Sequence, residues 1–131
     1  MLATTPLEAV KELDDALERG DLEAVLSFYE DDAVVVVEPG RLARGKKDLG
    51  EFFTYLFTLT PSARQIKTRV IEAGNIALFI SKWVFSGFDG NGQPISREAI
   101  ATCVFRKNAD EKWRLVIDNS FGPAILETTD P

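Results

Sequence analysis

The sequence predicts an α+β domain in which a curved antiparallel or mixed β-sheet cups three N-terminal helices. Three observations lead there. The first half carries three amphipathic helical patterns, and one short β-branched run is inserted before the third. The second half alternates apolar and polar residues through several long strands. Strands of that length must twist and coil, so one face can close over the helices and leave a cone-shaped space between the layers.

The first helix is announced by Thr5-Pro6-Leu7-Glu8, which reads as a capping box with proline at the first helical position. Val10, Leu13, Ala16 and Leu17 recur at helical spacing, and Gly20 ends the run. Asp21 caps a second, short helix whose apolar side holds Leu22, Val25, Leu26 and Tyr29. Val34 to Val37 is too short for a helix and lies between Asp31-Asp32 and Pro39-Gly40, so it reads as a strand ending at Glu38. A loop over Arg41 to Gly45 leads into a third helix with Leu49, Phe52, Phe53, Leu56 and Phe57 on one face, stopped by Thr60-Pro61. Lys46 and Lys47 read as a solvated start to that helix, opposing its dipole at small cost.

Alternation takes over from there. Ile66, Thr68 and Val70 lead to a turn at Gly74-Asn75, followed by a strand through Ala77, Phe79, Ser81, Trp83 and Phe85. After a turn-rich loop over Gly87 to Pro94, a long strand runs from Ile95 to Lys107 with Ala99, Ala101, Cys103 and Phe105 on one face. Asn108 to Lys112 turns the chain into a last strand, Trp113 to Phe121, closed by Gly122-Pro123.

Composition excludes several functions. The 131 residues suit one domain over 1–131, and 45% hydrophobic with 27% charged residues is an ordinary globular mixture. A net charge of −6 repels a phosphate backbone on average, so nucleic acid is excluded as the expected partner. The single cysteine, Cys103, rules out an intrachain disulfide framework. Residues 1–6 lack the basic and apolar segments of a secretory signal, and no apolar run reaches the length of a membrane span. The expected setting is therefore the cytoplasm. The absence of histidine removes Ser-His and Cys-His nucleophile pairs and imidazole ligands, and no cysteine cluster or glycine-rich phosphate loop replaces them. Neither metal nor organic cofactor is expected, and acid–base chemistry must run on carboxylates, Lys, Tyr, Cys or water.

Several segments taken together point to a family. Gly20-Asp21-Leu22, Phe28-Tyr29-Glu30-Asp31-Asp32-Ala33, Glu38-Pro39-Gly40 and Arg44-Gly45-Lys46 before a helix resemble the first half of NTF2-like proteins. Trp113-Arg114-Leu115-Val116-Ile117-Asp118-Asn119-Ser120-Phe121-Gly122 resembles the last strand of the ketosteroid-isomerase-like, SnoaL-like subgroup. The resemblance implies a cystatin-like cone with a pocket at its open end and a homodimer formed through the outer sheet face. It implies no single activity, because isomerases, cyclases, dehydratases, epoxide hydrolases and scaffolds share this fold.

Within that frame Glu38 is the candidate catalytic base. Steroid isomerases carry an Asp-Pro pair where Glu38-Pro39 falls, and a carboxylate beside Val36 and under Phe53 or Phe57 would lose hydration. The bland reading is an exposed strand-end glutamate. The family's oxyanion donors fall on Leu13 and Cys103, neither a strong donor, so steroid isomerisation is disfavoured. Cys103 is foremost a small core filler, and Trp83 a core or pocket-wall aromatic that could stack on a ligand. Strict alternation points Asn119 into the cone and Asp118 out of it, and it separates Asp118 from Arg97 unless a bulge intervenes. The expected pocket is thus Glu38, Phe53, Phe57, Trp83, Cys103 and Asn119, taking a small organic ligand. Ile100, Thr102, Val104 and Val116 form the outer face for a second copy. Two functions follow: a cofactor-free enzyme with Glu38 as base and Asn119 as orienting donor, or a non-catalytic dimeric binding or scaffold domain.

Overall fold

Thr5 caps the first helix as its sequence predicts. Its hydroxyl oxygen accepts from the Glu8 backbone N–H at 3.2 Å, its hydroxyl donates to the Glu8 carboxylate at 2.9 Å, and Pro6 occupies the first turn of α1 (Pro6–Glu18). The computed structural model describes residues 5–127; residues 1–4, part of the segment examined for a signal, lie outside it. Asp21 then caps α2 (Leu22–Ser27) by accepting from the Ala24 N–H at 3.1 Å. Tyr29 belongs to the next element rather than to α2. It begins β1 (Tyr29–Glu38), a strand longer than the valine run suggested.

The expected loop after Glu38 is a strand, β2 (Arg41–Arg44), paired antiparallel with β1. Pro39-Gly40 makes the connection, with Gly40 at φ 89°, the positive value that a proline–glycine turn requires of its second residue. Helix α3 (Gly45–Phe57) follows. Lys46 at its start is half-buried: its ammonium donates to the Leu26 carbonyl and, at 2.8 Å, to the Tyr29 carbonyl, tying α3 to the end of α2.

The second half is the meander read from the sequence: β3 (Ser62–Ala73), β4 (Ile76–Phe88), β5 (Pro94–Lys107) and β6 (Trp113–Asn119), then a short 3-10 turn over Gly122–Glu127. The six strands form one sheet in the order β2-β1-β6-β5-β4-β3, antiparallel except where β1 lies parallel to β6. The fold class is therefore the mixed form of the α+β expectation. α1 packs on β3 and β6, and α3 on β1 and β2, so the helices cover one face. The core between the layers includes Val25, Tyr29, Leu49, Phe53, Phe79, Phe105 and Leu115. No helix among the described residues is long and apolar enough to cross a membrane.

Among the described residues, three strands carry one residue too many for an antiparallel partner, and β1 also shifts register against β6 between Tyr29 and Val34. The extra residues are Val37 opposite β2, Ile66 opposite β4, and Val116 opposite β5. At each, the side-chain phase shifts and the strand twists more strongly. The last one decides the site.

Where β6 ends, the turn is held by Gly122. It sits at φ 51°, and a Cβ there would lie 2.3 Å from the Ile100 carbonyl oxygen. Gly122→Ala should destabilise the fold by about 2 kcal/mol or more, from left-handed strain of roughly 1–2 kcal/mol plus the clash with backbone. Urea denaturation checks this, and an unchanged midpoint would contradict it.

Candidate functional site

Between helices and sheet lies a cavity of about 930 Å³. Its walls are apolar: Val10, Leu13 and Leu17 come from α1, Phe52, Phe53 and Leu56 from α3, and Val35 to Val37 from β1, with Phe79, Trp83 and Phe105 from the sheet. The bulge at Val37 lets consecutive valines, Val35 and Val36, both be buried along this wall. The cavity opens where exposed Arg41, Tyr55, Ser96 and Arg97 line it, and Glu38 shares that rim.

The inner end is polar. Along β6, Trp113 and Leu115 face the core as alternation requires, but Val116 is the extra residue, so Ile117 turns out and Asp118 turns in, opposite Cys103. The Asp118 carboxylate accepts three neutral donors: the Tyr29 hydroxyl at 2.6 Å, the Ser120 hydroxyl at 3.1 Å and the Cys103 thiol at 3.4 Å. Tyr29 is 2% exposed, and its phenol is pushed well above its usual range by burial first and by the Asp118 charge second. Burial, then Asp118, raises the Cys103 thiol in the same way. Both stay protonated as donors.

The second carboxylate of the cavity is Asp14, which the sequence reading passed over. A signal was present: Asp14 lies four residues after Val10 and three before Leu17, in the middle of the apolar stripe of α1. Its carboxyl is raised from 3.8 to about 7, chiefly by burial; the Gln65 hydrogen bond opposes this, and the charges of Asp118 and Asp15 add to it. Gln65 donates to Asp14 at 3.0 Å. The buried Ser81 hydroxyl donates to the other end of that amide. Gln65 reaches the cavity because the bulge at Ile66 follows it, turning Ile66 out to 48% exposure.

The expected pocket is assembled in part. Phe53, Trp83 and Cys103 line the cavity, and the Trp83 indole N–H donates to the Ser120 carbonyl at 2.8 Å. Phe57 packs against the core but does not line the cavity. Asn119 lies on the opposite face, beside Thr102. It accepts from the Phe121 and Gly122 N–H groups and donates to the Gly122 carbonyl, and so clamps the turn after β6. Asn119 and Asp118 thus exchange the places that strict alternation assigns them, and the Val116 bulge is the reason. The same bulge brings Asp118 and Arg97 to one cavity, although no ion pair joins them; Arg97 lies over the Phe121 ring, 5.9 Å from its centroid. Glu38 lines the rim with an exposed side chain 3.9 Å from Arg41, hydrated rather than covered by Phe53 or Phe57. Among the described residues, no three His, Cys, Asp or Glu side chains converge to hold a metal ion.

The cavity is thus an apolar chamber whose polar lining includes two carboxylates and neutral donors. A family model for the SnoaL-like domain matches residues 10–116, and the chain belongs to that family. Solved structures agree on the fold. An NTF2-like protein with a cystatin-like fold from Novosphingobium aromaticivorans superposes with a TM-score of 0.73 at 19% identity, covering 85% of this chain and 75% of that one. A ketosteroid isomerase-like protein from Erwinia carotovora atroseptica gives 0.71 at 23% identity, covering 86% and 88%. The CaMKII hub of S. rosetta gives 0.72 at 24% identity, covering 86% and 89%. At these identities the likeness is one of fold. No curated protein sequence matches the chain.

A buried carboxyl that protonates near neutrality leaves a mark on stability. Asp14 holds its proton to about pH 7 when folded and to about 3.8 when unfolded, so the folded state binds more protons between those values. Its contribution is most favourable below pH 3.8 and is lost as pH rises through 7, by at most roughly 4 kcal/mol. Asp14→Asn should therefore be more stable than the wild type at pH 8 and show a flatter pH profile between 4 and 7. Thermal unfolding across that range checks it, and equal profiles would contradict it.

Proposed function

We propose that this chain binds a small, largely apolar organic molecule in the cavity and performs cofactor-free proton transfer on it, with Asp14 as the general base and acid. The observation that carries the reading is the Asp14 carboxyl, brought to about 7 in an apolar wall, where it can take and return a proton at neutral pH. Asp118, with Tyr29, Cys103 and Ser120 donating to it, supplies a fixed negative field beside the reacting group. The reaction class is isomerisation, elimination or hydrolysis at a position that loses or gains a proton. Steroid isomerase chemistry is not favoured, because Leu13 offers the cavity no donor and the Cys103 thiol donates to Asp118. Glu38 fits a role at the rim with Arg41, meeting the ligand's outer end, better than the role of base. A cytoplasmic setting is part of this proposal.

The test is a turnover screen at pH 7.5 with candidate apolar carbonyl, epoxide and hydroxy compounds, followed by Asp14→Asn on whichever is turned over. Removing a general base should lower kcat by about 10²–10⁴ while binding survives. An unchanged kcat in Asp14→Asn would remove Asp14 from the chemistry, and equal activity loss in Glu38→Gln would return the role to Glu38.

A second reading, a dimeric binding or scaffold domain, rests on the outer sheet face. Ile71, Leu78, Val104 and Ile117 lie in register there across β3, β4, β5 and β6, and exposed Ile100 lies further along β5, opposite Lys82. We propose that this face pairs two copies through Ile100, Thr102 and Val104, with Ile117 in the place expected of Val116. Light scattering at micromolar concentration should show a dimer for the wild type and a monomer for the double variant Ile100→Glu, Ile117→Glu. A monomeric wild type would contradict it.

A further inference from the structure

We propose that Gln65 and Ser81 form a reversible hydrogen-bond relay that satisfies Asp14 in both of its protonation states by a half-turn of the Gln65 amide. Resting on the acid–base reading of Asp14, the inference concerns residues outside the reacting pair. Gln65 stands between two partners: its amide nitrogen is 3.0 Å from Asp14 Oδ2, and its amide oxygen meets Ser81 Oγ. Ser81 is 1% exposed and has a second acceptor in reach, the Lys82 carbonyl at 3.3 Å. That second acceptor makes the relay reversible.

With Asp14 ionised, the carboxylate can only accept, so Gln65 must present its N–H to Asp14 and its oxygen to Ser81, whose hydroxyl donates to it. With Asp14 protonated, the carboxyl acquires a donor. A half-turn of the nearly symmetric amide then puts Gln65 Oε1 toward the Asp14 O–H and Nε2 toward Ser81 Oγ. The Ser81 hydroxyl, now an acceptor from Gln65, turns its O–H to donate a hydrogen bond to the Lys82 carbonyl. Each state keeps every link of the chain, and no heavy atom of Asp14 or Ser81 has to move. An apolar side chain at position 65 would leave the carboxylate without its donor, and an alanine at 81 would leave the amide free at one end.

The charged surroundings fit a proton cycling at Asp14 alone. Asp15 on α1 and Asp118 on β6 act on it as negative charges. Tyr29 on β1 and Cys103 on β5 are raised far from neutrality and keep their protons. Helix α3 presents phenylalanine, leucine and the exposed Tyr55 to the cavity. Glu38, Arg41 and Arg97 stand at its exposed rim. No histidine exists to compete.

The experiment is NMR on the full chain labelled with ¹³C and ¹⁵N, following the Asp14 carboxyl carbon and the Gln65 side-chain amide from pH 5 to 9. Expected is a Gln65 amide shift that moves with the midpoint of Asp14, and a cross-peak between the Gln65 amide protons and Ser81 Hβ that is strong at pH 5 and lost at pH 9. In Ser81→Ala the coupled change at Gln65 should disappear while Asp14 still titrates. A Gln65 amide that keeps one orientation through the Asp14 titration would overturn the relay and leave the acid–base reading standing. An Asp14 that does not titrate near neutrality would overturn both.

Discussion

The chemistry of the cavity depends on one extra residue in one strand. Val116 has no counterpart on β5, so the phase of β6 reverses between Leu115 and Ile117 and the Asp118 carboxylate enters the cavity instead of the outer face. The hydrogen bonds made to Asp118 follow from that rotation. Tyr29 is almost wholly buried, and a buried hydroxyl without a partner costs about 1–3 kcal/mol. Asp118 is the acceptor that removes this cost, while Cys103 and Ser120 share the same carboxylate. Asn119, displaced outward by the same step, becomes the clamp of the following turn.

Two further bulges serve the same space. Val37 lengthens β1 so that adjacent valines wall the cavity, and Ile66 turns outward so that Gln65 reaches Asp14. Bulges concentrate next to active sites because they re-aim a side chain without disturbing the rest of the ladder. In this chain three of them surround one cavity, on β1, β3 and β6, while the long β4–β5 pairing remains in continuous register through thirteen matched positions from Ile76↔Arg106 to Phe88↔Pro94. The regular pair gives the sheet its frame, and the irregular strands bring Gln65 and Asp118 into the cavity.

The polar end also sets a limit on stability. Placing Asp14 in the apolar stripe of α1 makes its ionised form unfavourable, with Asp118 adding to the penalty and only the Gln65 amide opposing it. A valine or leucine there would continue the stripe of Val10, Leu13 and Leu17. Under the proposed proton transfer, the carboxyl's proton affinity near neutrality offsets that loss of packing. On the outer face of the sheet the opposite compromise holds. Apolar residues face outward where polar ones would suit a solvated sheet, and the proposed pairing of two copies rests on them.

The sequence by itself determined the fold class, the helix caps and the wall. Thr5-Pro6 and Asp21 start their helices through local hydrogen bonds, the alternation of Ala101, Cys103 and Phe105 orients β5, and Phe53 and Trp83 belong to the cavity by periodicity alone. These depend on neighbours within a few residues, which a sequence displays directly. Tertiary structure alone decided which carboxylates enter the cavity. Glu38 stays at the rim because its strand ends in solvent beside Arg41. Asp118 enters and Asn119 leaves because of a pairing register between β5 and β6, and a one-residue slip in register exchanges the two faces of a strand. Asp14 was visible as a charge within an apolar stripe. Its proton affinity, however, arises from burial against a sheet and from a charge 104 positions away in the chain, neither of which local spacing encodes.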